Sequence, residues 1–262
     1  MSPVGKWPVL ISCVQFDEAL RDGTRPIAEV APIARRLGAD GVEYREVYWH
    51  NKQDELPRVR DQIRDLGLMV TYATFTALYN RDKEARRQLL TDIEDAHQLG
   101  SPLLRVFRGE KPGVDDDDMR EGARAAIQLA RSHGMTLALE NFARTPANRL
   151  VDVRDALETL NDPVMGTNLD TGNYIQNGEN LMDAIRTLSP WLAYSHIKDV
   201  IDQSEFATTY IGNGKLDWRA ILGAYEDSGR TFPLCFEFGG GGDSESAISR
   251  SIEHLRSIVK SK

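Results

Sequence analysis

Short apolar runs alternate with longer amphipathic runs along almost the whole chain. Eight of the runs are typical of buried strands because their apolar residues are continuous; they are PVLISCV, DGVEYREV, LMVTYATF, PLLRVF, TLALEN, VMGTNLD, WLAYSHI and PLCFEF. The segments that follow them carry apolar residues at helical spacing, as Leu89, Ile93, Ala96 and Leu99 do within residues 81–100. The pattern therefore predicts a strand–helix unit repeated eight times.

Eight strand–helix units with short connections are the number expected of a (β/α)8 TIM barrel, an α/β fold. We therefore expect residues 1–262 to form a single domain of this kind. The alternative is a doubly wound open sheet, which would need a glycine-rich phosphate-binding turn after the first strand. The segment QFDEALRDG, which follows that strand, has no such turn.

Composition changes this picture by limiting the partners. The chain has 32 Lys and Arg against 40 Asp and Glu, a net charge of −8, which favours neither nucleic acid nor an anionic membrane. The apolar run VLISCV is too short to cross a membrane and has no basic leader before it. Cys13 and Cys235 both fall in predicted strands, so we expect buried reduced thiols and a cytoplasmic protein.

Four of the predicted strands end on a side chain that can bind a metal ion, namely Glu140, Asp170, His196 and Glu237. The carboxyl ends of parallel strands share one rim of a barrel, so we expect these side chains to lie close together. Any one of them alone could instead cap a helix or pair with an arginine. Together they favour one divalent metal site, and three carboxylates with one imidazole suit Mn²⁺, Mg²⁺ or Co²⁺, with Zn²⁺ also possible.

The chain resembles the xylose-isomerase-like superfamily of TIM barrels, the sugar phosphate isomerase/epimerase group that includes ketose 3-epimerases and inosose dehydratases. The matching segments, in order, are LALEN, NLDTGNY, SHIKD, GNGKLDW and CFEF. The resemblance covers nearly the whole chain. It implies that Glu140, Asp170, His196 and Glu237 bind one divalent metal, and that Glu140 and Glu237 also act as the catalytic acid–base pair.

The resemblance implies an isomerase or epimerase that acts next to the carbonyl of a sugar or keto-sugar through an enediolate, whose charge a divalent cation stabilises. The same groups also serve a lyase or dehydratase that eliminates water or an aglycone from a keto-sugar, keto-glycoside or keto-cyclitol. A non-catalytic subunit or sugar-binding module that has kept the barrel is a third hypothesis. We expect a small carbohydrate substrate and, as is common for such barrels, a homo-oligomer, either a dimer or a tetramer.

Two residues near these ligands bear on the substrate. Several epimerases and inosose dehydratases of the superfamily carry His three residues after the sixth-strand Asp, where this chain has Asn173. An amide can bind a hydroxyl but does not titrate, which leaves the reaction type open. Lys198 would either contact a substrate oxygen or form an ion pair with Asp199 or Glu237.

Other candidate substrate-binding residues lie at the same rim. Arg105 is predicted to end the fourth strand and Arg108 to follow in its loop; one of them would face the pocket, or an arginine would orient Glu140. Trp49 and His50 follow the second strand, and aromatic residues there could stack on a sugar or simply anchor the loop.

Two further groups near the rim have both a structural and a functional interpretation. Glu43 and Arg45 could point into the barrel mouth, although a buried ion pair is the favoured interpretation. The glycine run 239–242 lies where barrels often bind phosphate. Asp243 and Glu245 at the start of the next helix would repel a phosphate, so we expect a substrate without one.

Overall fold

The structure is a computed structural model that describes residues 4–142, 148–202, 207–239 and 243–260. The strands in chain order are Val9–Ser12 (β1), Gly41–Arg45 (β2), Met69–Tyr79 (β3), Leu103–Gly109 (β4), Thr136–Glu140 (β5), Met165–Asn168 (β6), Leu192–Ile197 (β7), Asp199–Asp202 (β8), Ala207–Thr209 (β9) and Leu234–Phe236 (β10). Strands β1 to β7 and β10 form one parallel sheet, and β10 pairs with both β7 and β1, so that the sheet closes. The predicted (β/α)8 TIM barrel is confirmed.

Helices follow the strands along the chain and cover the outside of the barrel. They are Asp17–Arg21 (α1), Val30–Leu37 (α2), Lys52–Leu66 (α3), Lys83–Leu99 (α4), Asp117–Ser132 (α5), Leu150–Leu160 (α6), Thr171–Gln176 (α7), Leu181–Leu188 (α8), Trp218–Asp227 (α9) and Ser244–Lys260 (α10). The side chains of Asp82, Asn180 and Asp217 accept backbone N–H groups at the starts of α4, α8 and α9. These caps replace hydrogen bonds that a first helical turn lacks.

The apolar core lies mainly between the strands and the helices that cover them. A smaller cluster joins side chains of the barrel strands themselves, namely Leu10, Leu103, Ala138, Tyr194 and Cys235. Cys13 and Cys235 are buried free thiols, as predicted. Because a barrel of eight strands is filled by side chains rather than open, its binding site lies at the mouth.

The strand register places the rim residues at similar heights. Glu140 is level with Asn168 of β6 and with Phe107 of β4. His196 of β7 is level with Cys235, two residues before Glu237. The predicted ligands on β5 and β7 and directly after β10 therefore face one opening.

The sequence pattern misplaced some element boundaries. Strand β4 runs to Gly109, so Arg105 and Arg108 both lie inside it, and the expectation that Arg105 ends the strand was wrong. Strand β3 runs to Tyr79, and its pairing with β4 continues past the barrel with an irregular register. Backbone pairing between β3 and β4 accompanies the extension of both strands.

Two small elements at the mouth were not predicted. The short helix α7 follows β6 directly, and the antiparallel hairpin β8–β9 follows β7. The glycine run 239–242, considered as a phosphate site and judged against, falls largely outside the described residues, which omit 240–242. Within the described ranges, no helix combines the length and the apolar character needed to cross a membrane.

Candidate metal centre at the barrel mouth

The four predicted ligands converge at the mouth of the barrel. One donor atom from each of Glu140, Asp170, His196 and Glu237 lies within 4.8 Å of the others. The first three side chains are almost fully buried, and that of Glu237 is 12% exposed. The structure thus brings together three carboxylates and one imidazole that the sequence spreads over about a hundred residues.

The imidazole of His196 is oriented by a carboxylate from the opposite half of the chain. Its Nε2 lies 2.5 Å from the Oε2 of Glu43, and the Oγ of Ser12 donates a hydrogen bond of 2.7 Å to Glu43. Its Nδ1 faces Glu140 at 3.5 Å and Glu237 at 3.4 Å and has no hydrogen-bond partner. When a metal displaces the Nδ1 proton, the proton that Glu43 holds on Nε2 would leave the Nδ1 lone pair directed at the cluster, as metal-binding histidines require.

The two carboxylate oxygens of Asp170 have different roles: one caps a helix and the other faces the cluster. Two residues beyond β6, it caps α7, and its Oδ1 accepts the N–H groups of Gly172 and Asn173, both at 2.9 Å. Its buried Oδ2 has no hydrogen bond of good geometry, although the Nζ of Lys198 lies 2.8 Å away. The cap therefore fixes the carboxylate and leaves Oδ2 available.

Two arginines hold the glutamates of the cluster. The Nε of Arg105 lies 2.8 Å from the Oε2 of Glu140, and its Nη1 donates to the backbone carbonyl of Thr74 at 2.7 Å. The guanidinium of Arg45 bonds both Glu43 and Glu237. The predicted buried pair of Glu43 and Arg45 is present, and Arg45 in addition reaches the cluster.

Lys198 extends into the cluster and does not pair with Asp199. Its Nζ lies 2.6 Å from the Oε2 of Glu237 as well as 2.8 Å from the Oδ2 of Asp170. A Cβ on Gly172 would lie 2.6 Å from the Cγ and Cδ of Lys198. The glycine in the DTGN segment is what lets the lysine side chain reach these two carboxylates.

Electrostatics keep the glutamates of the cluster ionised. Burial raises the pKa of Glu140, but Arg105 and His196 bring it below its usual value, and the pKa of Glu237 is lowered well below its usual value, with His196 the largest opposing charge. Burial would lower the pKa of His196, yet the surrounding carboxylates raise it well above its usual value. Burial raises the pKa of Asp170 to about 7 despite the nearby ammonium group.

The donor set fits a hard divalent cation. It is rich in oxygen, it is buried, and it includes two atoms without a hydrogen bond, the Oδ2 of Asp170 and the Nδ1 of His196. A second group, Glu43, His196 and Cys235, also lies close together. Burial raises the pKa of the Cys235 thiol well above its usual value, so this group offers a protonated sulfur and is a poor site.

A cavity of about 230 Å³ opens beside the cluster. It is lined by Val14, Arg45, Phe75, Arg105, Phe107, Glu140, Phe142, Asn173, Lys198, Glu237, Phe238 and Gly239. The predicted substrate-binding residues Arg105, Asn173 and Lys198 are among them. The amide of Asn173 donates to the backbone carbonyl of Asn141 at 2.8 Å and to Glu140 at 3.3 Å.

Trp49 and His50 are not among the described residues that line this cavity. Trp49 stacks between Tyr44 and Tyr72, and its Nε1 donates to the Tyr72 hydroxyl at 2.9 Å. The Nε2 of His50 lies 2.7 Å from the backbone carbonyl of Leu20. Both residues anchor the loop after β2, the alternative that the sequence left open.

Sequence reasoning missed two kinds of residue. Asn168 accepts the backbone N–H of His196 at 2.8 Å and donates to Glu140 at 3.3 Å; its place two residues before Asp170 was the available signal. The other kind is what we call the phenylalanine row, Phe75, Phe107 and Phe142. Phe75 lies within β3, Phe107 lies within β4, and Phe142 follows β5 by two residues.

A family model described as a xylose isomerase-like TIM barrel matches residues 31–258. The chain belongs to this family. The resemblance that the motifs indicated is thereby confirmed. The solved structure of an L-ribulose 3-epimerase superposes with a TM-score of 0.78 at 18% identity, over 97% of this chain and 95% of that one.

Another solved structure and one curated relative are also similar to the chain. The crystal structure of the probable 3-DHS dehydratase AsbF of petrobactin synthesis from Bacillus anthracis superposes with a TM-score of 0.76 at 16% identity, over 95% of this chain and 98% of that one. A putative (R)-citramalate synthase, CimA, from Methanopyrus kandleri is 27% identical over 182 residues. That match spans 66% of this chain but only 35% of the relative.

Proposed function

We propose that this protein is a divalent-metal-dependent isomerase or epimerase that acts next to the carbonyl of a sugar or keto-sugar. The observation that carries the proposal is the convergence of Glu140, Asp170, His196 and Glu237 within 4.8 Å, beside a cavity that Glu140 and Glu237 also line. Likeness to an L-ribulose 3-epimerase supports it at the level of the fold. The oxygen-rich donors favour Mn²⁺, Mg²⁺ or Co²⁺.

The side chains have separate tasks in this reaction. A divalent cation held by the four ligands would supply positive charge against the negative charge that develops on the substrate as a proton leaves. Glu140 and Glu237 are both ionised, because their pKa values are lowered, so either can take a proton from the substrate carbon. In epimerisation the opposite carboxylate would first bind a proton from solvent and then deliver it to the other face of that carbon. Arg105 and Arg45, bonded to them, hold these two carboxylates in place.

Elimination from a keto-sugar is the second candidate, and likeness to the probable 3-DHS dehydratase AsbF supports it at the level of the fold. The amide of Asn173 lies where several epimerases and inosose dehydratases carry a titratable histidine, and here it donates to Glu140. It can orient that carboxylate but cannot exchange a proton. A proton removed by Glu140 would then leave with a β-hydroxyl or an aglycone instead of returning to carbon.

Solvent exchange tests the proposal and separates the two reactions. The purified protein is stripped with EDTA, loaded with MnCl₂ and incubated in D₂O with a panel of ketoses and keto-glycosides, followed by mass spectrometry. Isomerisation or epimerisation yields sugar that carries deuterium and is otherwise unchanged in formula. Elimination yields a product that has lost water or the aglycone.

Substitutions of the two glutamates, with a matched control, test their proposed acid–base roles. We expect Glu140→Gln and Glu237→Gln each to lower the rate by at least about a hundredfold, as general acid–base groups do. The exposed Glu253→Gln on α10 is the control and should leave the rate unchanged. Metal-dependent turnover that survives both site variants would contradict the assigned roles. Binding of sugars without any exchange would favour the non-catalytic sugar-binding module.

A further inference from the structure

The phenylalanine row forms a continuous aromatic wall on one side of the cavity. The ring centroids of Phe75 and Phe107 are 6.0 Å apart, and those of Phe107 and Phe142 are 5.6 Å apart with an interplanar angle of 20°. Phe238 adds a fourth ring to the lining from the end of β10. Strands from two sides of the barrel thus present aromatic rings to the same space.

The row is held in position rather than left loose at the surface. The backbone N–H of Phe75 donates to the carboxylate of Glu46 at 2.9 Å. The guanidinium carbon of Arg105 lies 4.6 Å from the ring centre of Phe107 and 5.5 Å from that of Phe75. Phe75 is nevertheless 48% exposed, so its ring is available to a molecule that enters the cavity.

The polar side chains of the described lining are already committed to one another. Arg105 bonds Glu140 and the Thr74 carbonyl, and Asn173 bonds Glu140 and the Asn141 carbonyl. Arg45 and Lys198 bond Glu237. A sugar hydroxyl placed against the row would therefore lose its water without finding a partner among the described residues, which is unfavourable.

We propose that the substrate carries an aromatic ring against the phenylalanine row, so that it is an aryl glycoside of a keto-sugar and not a free ketose. The carbohydrate part of this assignment rests on the proposed function, whereas the aryl part rests on the row alone. The carbonyl end faces the ligand cluster, and the aglycone stacks on Phe75 and Phe142. Stacked or edge-on aromatic contacts favour such a ring over an alkyl group.

Binding without turnover tests the aryl part. The Mn²⁺-loaded protein is titrated by calorimetry with phenyl β-D-glucopyranoside, methyl β-D-glucopyranoside and phenol, none of which has the carbonyl needed for reaction. We expect the phenyl glucoside to bind about tenfold more tightly than the methyl glucoside. We expect phenol to bind at least about tenfold more weakly than the phenyl glucoside, because it lacks the sugar and the hydroxyls that the sugar presents to the polar end of the cavity.

Variants of the phenylalanine row test whether these residues cause the preference for the phenyl glucoside. Phe75→Ser and Phe142→Ser should each reduce the preference for phenyl over methyl to about twofold, and Phe75→Leu should leave an intermediate preference. Val151 on α6 has a similar exposure of 46% and lies outside the lining, so Val151→Ser should keep the full preference. Circular dichroism confirms that each variant is folded.

The outcomes separate this inference from the proposed function. Equal affinity for phenyl and methyl glucosides, or a preference that survives all three variants of the row, would overturn the aryl assignment even if ketoses exchange deuterium. If phenol binds as tightly as phenyl glucoside, the assignment of a glycoside as the substrate is overturned. A phenyl preference that the row variants abolish would support the aryl site even if no deuterium exchange occurs, and only the proposed function would then fail.

Discussion

At the scale of single residues, the ammonium group of Lys198 stands in an unusual place. It lies between Asp170 and Glu237, 2.8 Å from one carboxylate and 2.6 Å from the other. A divalent cation that binds these oxygens must share them with the ammonium group or displace it. Lys198 also lines the cavity, so a displaced side chain has space to move toward a substrate oxygen.

We predict that Lys198→Met has opposite effects on the metal-free and metal-bound protein. Without metal, the buried carboxylates lose a partner, and the free energy of unfolding should fall by about 3 kcal/mol. With the competing charge gone, the dissociation constant for Mn²⁺ should decrease by about tenfold. Urea unfolding and calorimetry measure the two effects.

Lys215→Met is the control, because Lys215 is exposed and belongs to no part of the site. It should leave both quantities unchanged. If Lys198→Met instead weakens Mn²⁺ binding, the lysine supports the bound metal and the competition is disproved.

The sequence predicted the members of the cluster well but not their contacts. Glu140, Asp170 and His196 each end or closely follow a strand, and parallel strands bring such ends to one rim. The bond between His196 and Glu43 joins residues 153 positions apart. No local pattern encodes that distance, because it depends on which strands become neighbours when the barrel closes.

At the scale of elements, the hairpin β8–β9 depends on one buried carboxylate. Asp199 accepts the N–H groups of Val200 and Leu216 on Oδ1, and those of Gly212 and the Trp218 indole on Oδ2, at 2.9 to 3.1 Å. Four donors around one side chain require four acceptor positions. Asp199 thus ties the hairpin to the start of α9.

We predict that Asp199→Asn lowers the free energy of unfolding by about 2–3 kcal/mol, because the amide nitrogen would face two N–H donors whichever way it is turned. The loss should appear in urea unfolding curves. The exposed Asp65→Asn should change stability by less than about 0.5 kcal/mol. A loss no larger than that of the control would show that the hairpin does not need the carboxylate.

The turn after β2 should make stability depend on pH. Burial raises the pKa of Glu46 above its usual value of 4.5, although the Phe75 N–H and Arg105 oppose the change. The folded protein therefore binds a proton here more readily than the unfolded chain does. Stability falls as the pH rises from about 4.5 through the raised pKa of the folded state.

We predict that Glu46→Gln removes this loss. The amide keeps an acceptor for the Phe75 N–H, and it replaces a buried oxygen that has no hydrogen-bond partner. The variant should match the natural protein near pH 4.5 and exceed it by about 1 kcal/mol at pH 7.5. Urea unfolding at both pH values, with the exposed Glu121→Gln as control, measures the difference; equal stability at pH 7.5 would refute it.

The lengths of the strands and of the short helix at the barrel mouth could not be predicted from the pattern of apolar residues. Strands β3 and β4 continue past the barrel through backbone pairing with each other, and α7 begins because Asp170 caps it. Backbone hydrogen bonds carry no hydrophobic signature in the sequence. The phenylalanine row was missed for another reason. Phe75 and Phe107 end the predicted third and fourth strands and Phe142 follows the fifth, so their closeness depends on which strands become neighbours in the barrel.

At the scale of the whole molecule, the four ligands connect β5, β7, the segment after β6 and the segment after β10. A cation shared by these segments would bind the folded barrel and not the unfolded chain. Binding should therefore stabilise the entire fold.

We predict that MnCl₂ at about a hundredfold excess over its dissociation constant adds about 2.7 kcal/mol. The melting temperature should rise by about 5–10 °C and return to its starting value with EDTA. Asp170→Asn and His196→Asn should abolish most of the rise, whereas Asp152→Asn on α6 should not. An equal rise in all four proteins would place the bound metal somewhere else.

The proposed metal ligands and three of the charged residues that hold them lie in different parts of the chain. Every proposed ligand comes after residue 139, whereas Glu43, Arg45 and Arg105, which hold the ligands, come before residue 110. A fragment containing only the later strands would keep all the donor atoms and Lys198, but it would lose the three earlier residues that hold Glu140, His196 and Glu237. We therefore expect that cleaving the chain near residue 113 would yield two pieces that each fail to capture Mn²⁺, and that mixing them would restore capture only through reassembly of the whole barrel.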